Sequence, residues 1–144
     1  MSARFGTDSE ALAFVLAGNA RLTLVSRKTG ARFTYRVRRP ADAGTDGVHF
    51  VSVLTGPDNE HDFQFLGTIF EGARFVHGRK SKIAEDAPSA RAFAWAFRHL
   101  AQSRELPELL EVWHEGACGR CGRALTVPES IARGLGPECA QVRS

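Results

Sequence analysis

The first 117 residues of this 144-residue chain contain no cysteine. A disulfide framework is thereby excluded for most of the molecule, and an apolar core has to hold the fold. Methionine and tyrosine occur once each and tryptophan twice, so the ten phenylalanines carry most of the aromatic burial. No apolar run approaches the roughly 20 residues of a bilayer-spanning helix. Internal repeats and low-complexity tracts are also missing, which argues against solenoids and arrays. Nor is there a large charge of one sign: 19 basic and 16 acidic residues leave a net +3 and a pI near 9.1. Such a total cannot itself indicate a polyanionic partner, so the placement of the charges must decide.

The one stretch that imitates an export signal is Ala11-Leu-Ala-Phe-Val-Leu-Ala17. Only Arg4 precedes it as a basic residue, and Asp8 and Glu10 stand just before it, which is wrong for a signal peptide. Thr7-Asp-Ser-Glu10 reads instead as a capping box. It predicts a short helix from Asp8 to Ala17, stopped at Gly18-Asn19, that buries Leu12, Val15 and Leu16. With reduced cysteines, a cytoplasmic location is expected.

Alternation dominates the segment from Ala20 onward. In 20–28 and 31–39, Leu22, Leu24 and Ser26, and Phe33, Tyr35 and Val37, alternate with polar or basic residues. A hairpin turning at Thr29-Gly30 would pair Lys28 with Ala31, Arg27 with Arg32 and Arg21 with Arg38. Its outer face would carry Arg21, Arg27, Arg32, Arg36 and Arg38. Directly opposed like charges are unfavourable by about 0.2 to 1 kcal/mol each. Such a face either serves an anionic partner, or splays into water and pairs with acids from elsewhere.

After a polar loop at 40–47, strands are expected at Val48–Thr55, Asp62–Phe70 and Ala73–Val76, with Glu71-Gly72 turning the chain between the last two. Asp58, Glu60 and Asp62 at a loop tip could suggest a cation or an acid-base pair, but loop acids of this kind are usually solvated. His77-Gly-Arg-Lys-Ser-Lys82 is a second basic cluster, in Arg79, Lys80 and Lys82, without a Walker pattern. Asp86-Ala-Pro-Ser89 should cap the main helix, running to about Gln102 with Ala90, Phe93, Ala94, Phe97, Leu100 and Ala101 as its buried stripe. Arg91, Trp95 and Arg98 fall on a flanking face, where base stacking is conceivable and a rim role for Trp95 is simpler. A last strand is expected from Leu110 to Trp113.

All three cysteines lie in the final stretch, C-G-R-C-G-R-A-L-T-V-P-E-S-I-A-R-G-L-G-P-E-C from Cys118 to Cys139. The C-x-x-C spacing can aim two sulfurs at one cation, and its glycines suit a tight knuckle. Thr126 to Glu129 reads as a capping box for a short helix ended at Gly134, and Pro137 as a second helix start that places Cys139 in a first turn. A thiolate there gains from the helix dipole. These features favour zinc on Cys118, Cys121 and Cys139 over a disulfide with an odd thiol or a thioredoxin-like pair. His114 is the preferred fourth ligand; Glu115 and Glu138 are weaker, and His49, His61, His77 and His99 would need the fold to deliver them.

The same run resembles the C-terminal zinc knuckle of an uncharacterised domain family of actinobacterial, plasmid and phage proteins. Thr29-Gly30, Gly56-Pro57-Asp58-Asn59 and Asp86-Ala87-Pro88-Ser89 are similar to that family too. The resemblance implies a bacterial or phage cytosolic protein with bound zinc, and it carries no activity. The expected architecture is therefore α+β: an antiparallel meander of four to six strands under one main helix over 1–115, joined at 116–144 to a treble-clef-like or ribbon-like zinc module.

Three functions are expected, in this order. The first is a non-catalytic nucleic-acid-binding module that uses the arginine face, the loop of Arg79, Lys80 and Lys82, and Arg120, Arg123 and Arg133 around the zinc. The second is a phage or mobile-element protein that binds and modulates a host nucleic-acid-processing or defence enzyme. The third is a zinc hydrolase or nuclease, which would need an open coordination position and a general base. No membrane partner is expected.

Overall fold

The computed structural model describes residues 3–5, 8–40, 47–58, 61–102 and 110–114, together with Gly119 and Gly134. In chain order the elements are β1 (Ala3–Arg4), α1 (Asp8–Val15), β2 (Asn19–Ser26), β3 (Arg32–Arg38), β4 (Val48–Leu54), β5 (Phe63–Phe70), β6 (Arg74–His77), α2 (Pro88–Ala101) and β7 (Leu110–His114). All strands join one sheet in the order β1-β7-β2-β3-β4-β5-β6, and every pairing is antiparallel. The α+β class with one main helix thus holds, with a meander through β2 to β6. The two-residue β1 at the edge is the strand that sequence patterning missed. Among the described residues no helix is long and apolar enough to cross a membrane. The boundary expected at residues 115 and 116, the helices expected after Thr126 and the zinc module itself lie outside the described residues.

The first hairpin departs from the expected register by two residues. Val25 faces Arg32, Arg21 faces Arg36 and Asn19 faces Arg38. Hence the pairs expected between Arg27 and Arg32 and between Arg21 and Arg38 do not form. A two-residue type I′ turn would require positive φ at Thr29, which a β-branched residue resists. The chain uses a four-residue loop instead, with only Gly30 in the left-handed region at φ 76°. The Gly30 N–H donates to the Ser26 carbonyl at 2.8 Å, and Ser26 Oγ and Thr29 Oγ1 accept from the Thr29 and Ala31 amides. Because the slip is even, the side chains keep their faces.

The core lies on one face. Ala20, Leu22 and Leu24 of β2, Tyr35 and Val37 of β3, Val51 and Val53 of β4 and Val112 of β7 are all buried. On β5 the alternation is broken by a bulge opposite Val51 and Ser52, where Leu66 is the additional residue. Phe63 and Phe65 stand in line with Leu54 and Ser52, whereas Leu66 and Ile69 are buried.

Both helices cover the apolar face. The α2 stripe is Ala90, Phe93, Ala96, Phe97 and Leu100, with Ala94 and Ala101 only half-buried. Ala96 therefore replaces Ala94 of the expected set. Phe93 packs on Tyr35 and Phe75 with ring centroids 5.0 Å apart in each case, and the Tyr35 hydroxyl donates to the Ser89 carbonyl at 2.6 Å. Asp86 does not cap this helix. The N-cap is Ala87, held extended by the adjoining Pro88 and lacking a side-chain cap bond. On α1 the fully buried residues are Ala11, Phe14 and Val15, while Leu12 and Leu16 are only half-buried. The stripe is turned relative to expectation because Phe14 has ring partners in Phe5 and His114, at 5.1 and 5.5 Å.

His49 ties the end of α1 to β4 by donating Nε2–H to the Leu16 carbonyl at 3.1 Å, which leaves Nδ1 buried without a hydrogen-bond partner. Burial, and secondarily the charge of Arg39, lower its pKa from the ordinary 6.5 despite the opposing carbonyl bond. Above about pH 6.5 the ring is neutral in both folded and unfolded chains, and its contribution is fully present. As pH falls through that value the unfolded chain takes up the proton first, so stability declines. Relative to His49→Gln, the wild type should lose stability on acidification by at most about 1.4 kcal/mol per pH unit, read from urea melts across the interval.

Gly67 sits at the β5 bulge, where a Cβ would collide with the Val76 carbonyl and the Phe75 ring. Gly67→Ala should cost about 2 kcal/mol in the same melts.

Candidate functional site

The face of the sheet opposite the helices gathers what the sequence scattered. Across the strands it presents Glu111 and Trp113 on β7, Arg21, Thr23 and Val25 on β2, and Arg32, Thr34, Arg36 and Arg38 on β3. It continues with Phe50, Ser52 and Leu54 on β4, Phe63, Phe65, Thr68 and Phe70 on β5, and Arg74 and Val76 on β6. Among the described strand residues of this face, Glu111 is the single acid.

Its centre is an arginine-phenylalanine cluster. The guanidinium of Arg36 lies 4.6 Å from the Phe63 ring centroid and that of Arg21 lies 6.0 Å from the same centroid. Register places the short Ser52 between Arg36 and Phe65, leaving space for the arginine to reach across β4. The ring quadrupole offsets part of the repulsion between the two cations. Nearer the outer edge, Arg74 lies 5.4 Å from the Phe70 centroid. Phe50 is 41% exposed, flanked by Arg38 on β3, and meets Phe65 edge-on at 6.2 Å. Beside the cluster, the Thr23 and Thr34 hydroxyls bond each other at 2.8 Å.

Of the five hairpin arginines, Arg21 and Arg36 converge, while Arg32 and Arg38 are exposed. Arg27 is different. It lies beyond the end of β2 and pairs with Glu111 at 3.2 Å, and the Glu111 carboxylate also accepts the Trp113 indole N–H at 2.9 Å. It is an ion-paired hairpin residue, matching the alternative in which an acid from another strand answers the arginine.

The basic loop after β6 borders the aromatic cluster. Gly78 donates its N–H to the Leu66 carbonyl at 3.0 Å, and Ser81 Oγ donates to the Phe65 carbonyl at 2.8 Å. The Phe65 ring fills the space that a Cβ on Gly78 would occupy. His77 Nε2 is 2.7 Å from the Ile83 carbonyl. Arg79, Lys80 and Lys82 are exposed on this loop. The two basic clusters seen separately in the sequence thus flank one surface.

Cys118, Cys121, Cys139, Glu115, Glu138, Arg120, Arg123 and Arg133 lie outside the described residues. Of this region the structure places His114, Gly119 and Gly134. His114 ends β7 and is buried, its ring 5.2 Å from that of Phe5 and 5.5 Å from that of Phe14. Gly119, within the C-x-x-C, donates its N–H to the Gly134 carbonyl at 2.8 Å and accepts from the Asn19 N–H at 2.7 Å. Both glycines close on Phe14: a Cβ on Gly119 would come within 2.7 Å of its ring. His114, Gly119 and Gly134 therefore meet around one phenyl ring. The other histidines do not gather there: His49 holds Leu16, His77 faces Ile83, His99 meets Trp95 edge-on at 4.8 Å, and His61 pairs with Asp58 at 2.8 Å.

Asp58 and Asp62 have local roles, and Glu60 lies outside the described residues. Asp62 accepts the Asp58 amide at 2.9 Å, and Asp58 accepts the His61 amide at 3.2 Å. They close the turn of this hairpin. Trp95 is 42% exposed on α2 and lines, with Leu24, Phe33, Arg91 and Leu110, a cleft of about 520 Å³ on the helix side of the sheet.

Phe50, Phe63 and Phe65 are the residues of this surface that sequence reasoning misses. Alternation on β4 signals Phe50, but the bulge at Leu66 hides the common face of Phe63 and Phe65 with it.

Residues 111–144 match the model of a family of unknown function, DUF6011. No curated protein and no solved structure matches the chain.

Proposed function

We propose that the protein is a zinc-binding, non-catalytic nucleic-acid-binding module whose contact surface is the arginine-bearing face of the sheet. The observation that carries this reading is the convergence of Arg21 and Arg36 on Phe63, on a face with a single acid among its described strand residues. Cations held this close together favour a ligand with closely spaced negative charges. A phosphodiester chain has that spacing, and it would meet Arg32, Arg38 and Arg74 on the same face and Arg79, Lys80 and Lys82 beside it. Arg120, Arg123 and Arg133 belong to the proposed surface by sequence.

Zinc would be held by Cys118, Cys121, Cys139 and His114. Three thiolates and one imidazole suit a closed tetrahedral site, and the packing of Gly119 and Gly134 on the Phe14 ring that His114 also meets supports the assignment. A closed site has no position for a reacting water, so the role proposed for the metal is to clamp the C-terminal segment against α1 and β7.

Native mass spectrometry of protein purified from bacteria should find one zinc per chain. His114→Ala should lose zinc and melt at lower temperature together; retained zinc with an unchanged melting temperature would remove His114 from the ligand set. Fluorescence anisotropy with short DNA and RNA, single-stranded and duplex, should show binding at about 50 mM salt that weakens steeply toward about 200 mM. Arg38→Gln should weaken binding several-fold and reduce the slope against log salt by about one contact. Absence of binding to every probe at low salt overturns the nucleic-acid reading. A protein partner retained from lysate after nuclease treatment, together with that absence, would point to a host enzyme as the target.

A further inference from the structure

We infer that this face selects single-stranded over duplex nucleic acid, by stacking unpaired bases on the Phe50 ring beside Arg38. The inference rests on the proposed nucleic-acid function and specifies its ligand.

Charge alone would not distinguish strand from duplex, since both present phosphates. The discriminating feature is apolar, planar surface left in water beside the charge. Phe50 lies on β4 between Arg38 of β3 and Thr68 of β5, and Thr68 in turn faces Val76 of β6. Phe50 and Val76 are 41% and 44% exposed, so two of the three exposed large apolar residues among those described share one row of this face. Leaving a phenyl ring this exposed forgoes part of the stabilisation that burying it would contribute. Its orientation is nevertheless fixed, because Phe65 meets it edge-on and is itself seated against Gly78. A rigid, exposed ring beside an arginine offers an unpaired base a stacking partner and its phosphate a counter-charge.

Arg36, whose guanidinium lies 4.6 Å from the Phe63 centroid, adds positive charge to the same face. In a duplex the base faces are already stacked on one another and only phosphates and groove edges remain available. Phe50 would then gain little. Charge complementarity is met by either nucleic acid, whereas exposed planar groups are matched only by unpaired bases.

Anisotropy titrations of the full chain test this with labelled oligothymidine, oligouridine, a duplex and an abasic deoxyribose-phosphate strand, each about a dozen residues long. The expected result is that the two base-bearing single strands bind about tenfold or more tighter than the duplex and the abasic strand. A preference between oligothymidine and oligouridine identifies DNA or RNA as the better ligand. Phe50→Leu, which keeps apolar bulk and removes the ring, should weaken single-strand binding about tenfold with little change in salt slope, and Phe50→Trp should restore it. Equal affinity for strand, duplex and abasic polyanion, or a Phe50→Leu protein with wild-type melting and wild-type affinity, overturns the stacking inference while the broader nucleic-acid reading stands. No binding by any probe overturns both.

Discussion

A sheet has two faces, and in this chain apolar side chains suffice for one. Leu22, Leu24, Tyr35, Val37, Val51, Val53, Ile69 and Val112 all stand on the side that α1 and α2 cover. The core and the candidate binding surface are consequences of the same alternation. Each residue buried under a helix commits its chain neighbours to the opposite face, so Val37 in the core brings Arg36 and Arg38 into the open. The two-residue slip in the first hairpin is tolerated for the same reason. It changes which arginines face each other and leaves unchanged which side they occupy.

One ring links this sheet to the C-terminal segment. Phe14 lies on α1, yet it touches Phe5 beside β1, His114 at the end of β7, and both Gly119 and Gly134. Glycine at 119 is required by close approach: a side chain there would meet the Phe14 ring and, at 3.1 Å, its carbonyl. The first helix thus packs against Gly119 and Gly134 as well as covering the sheet. This arrangement also accounts for the rotation of the α1 stripe. Considered alone, its periodicity favours Leu12, Val15 and Leu16, but His114, Gly119 and Gly134, which close on Phe14, lie a hundred or more residues along the chain.

That contrast marks what is legible in the sequence. Strand faces can be read because period-two alternation is local, and the expected β2, β3 and α2 lie close to their observed bounds. The Glu71-Gly72 turn is also readable, both residues having positive φ. The hairpin loop is easily misread because Thr-Gly resembles a two-residue turn until the cost of positive φ at threonine is counted. The absence of a side-chain cap at Ala87 and the insertion of β7 between β1 and β2 come from tertiary placement, which no local signal carries. Arginines of the candidate surface are visible as a stripe; the role of Glu111 in neutralising one of them is not, because that carboxylate arrives on another strand.

The aromatic half of the surface is concealed by one additional residue. Without the bulge, strict alternation would have kept Phe63, Phe65, Gly67 and Ile69 on one side of β5. With Leu66 inserted, Ile69 turns into the core while Phe63 and Phe65 remain with the arginines. The bulge therefore does more than bend a strand. It allows one eight-residue segment to supply the core at one end and a ring beneath Arg36 at the other. It also draws the basic loop after β6 inward, since the Leu66 and Phe65 carbonyls accept from Gly78 and Ser81. Arginines from the first hairpin and lysines from a loop some forty residues later come to border the same rings through this single irregularity. A regular β5 would separate them by turning its phenylalanines away from one cluster or the other.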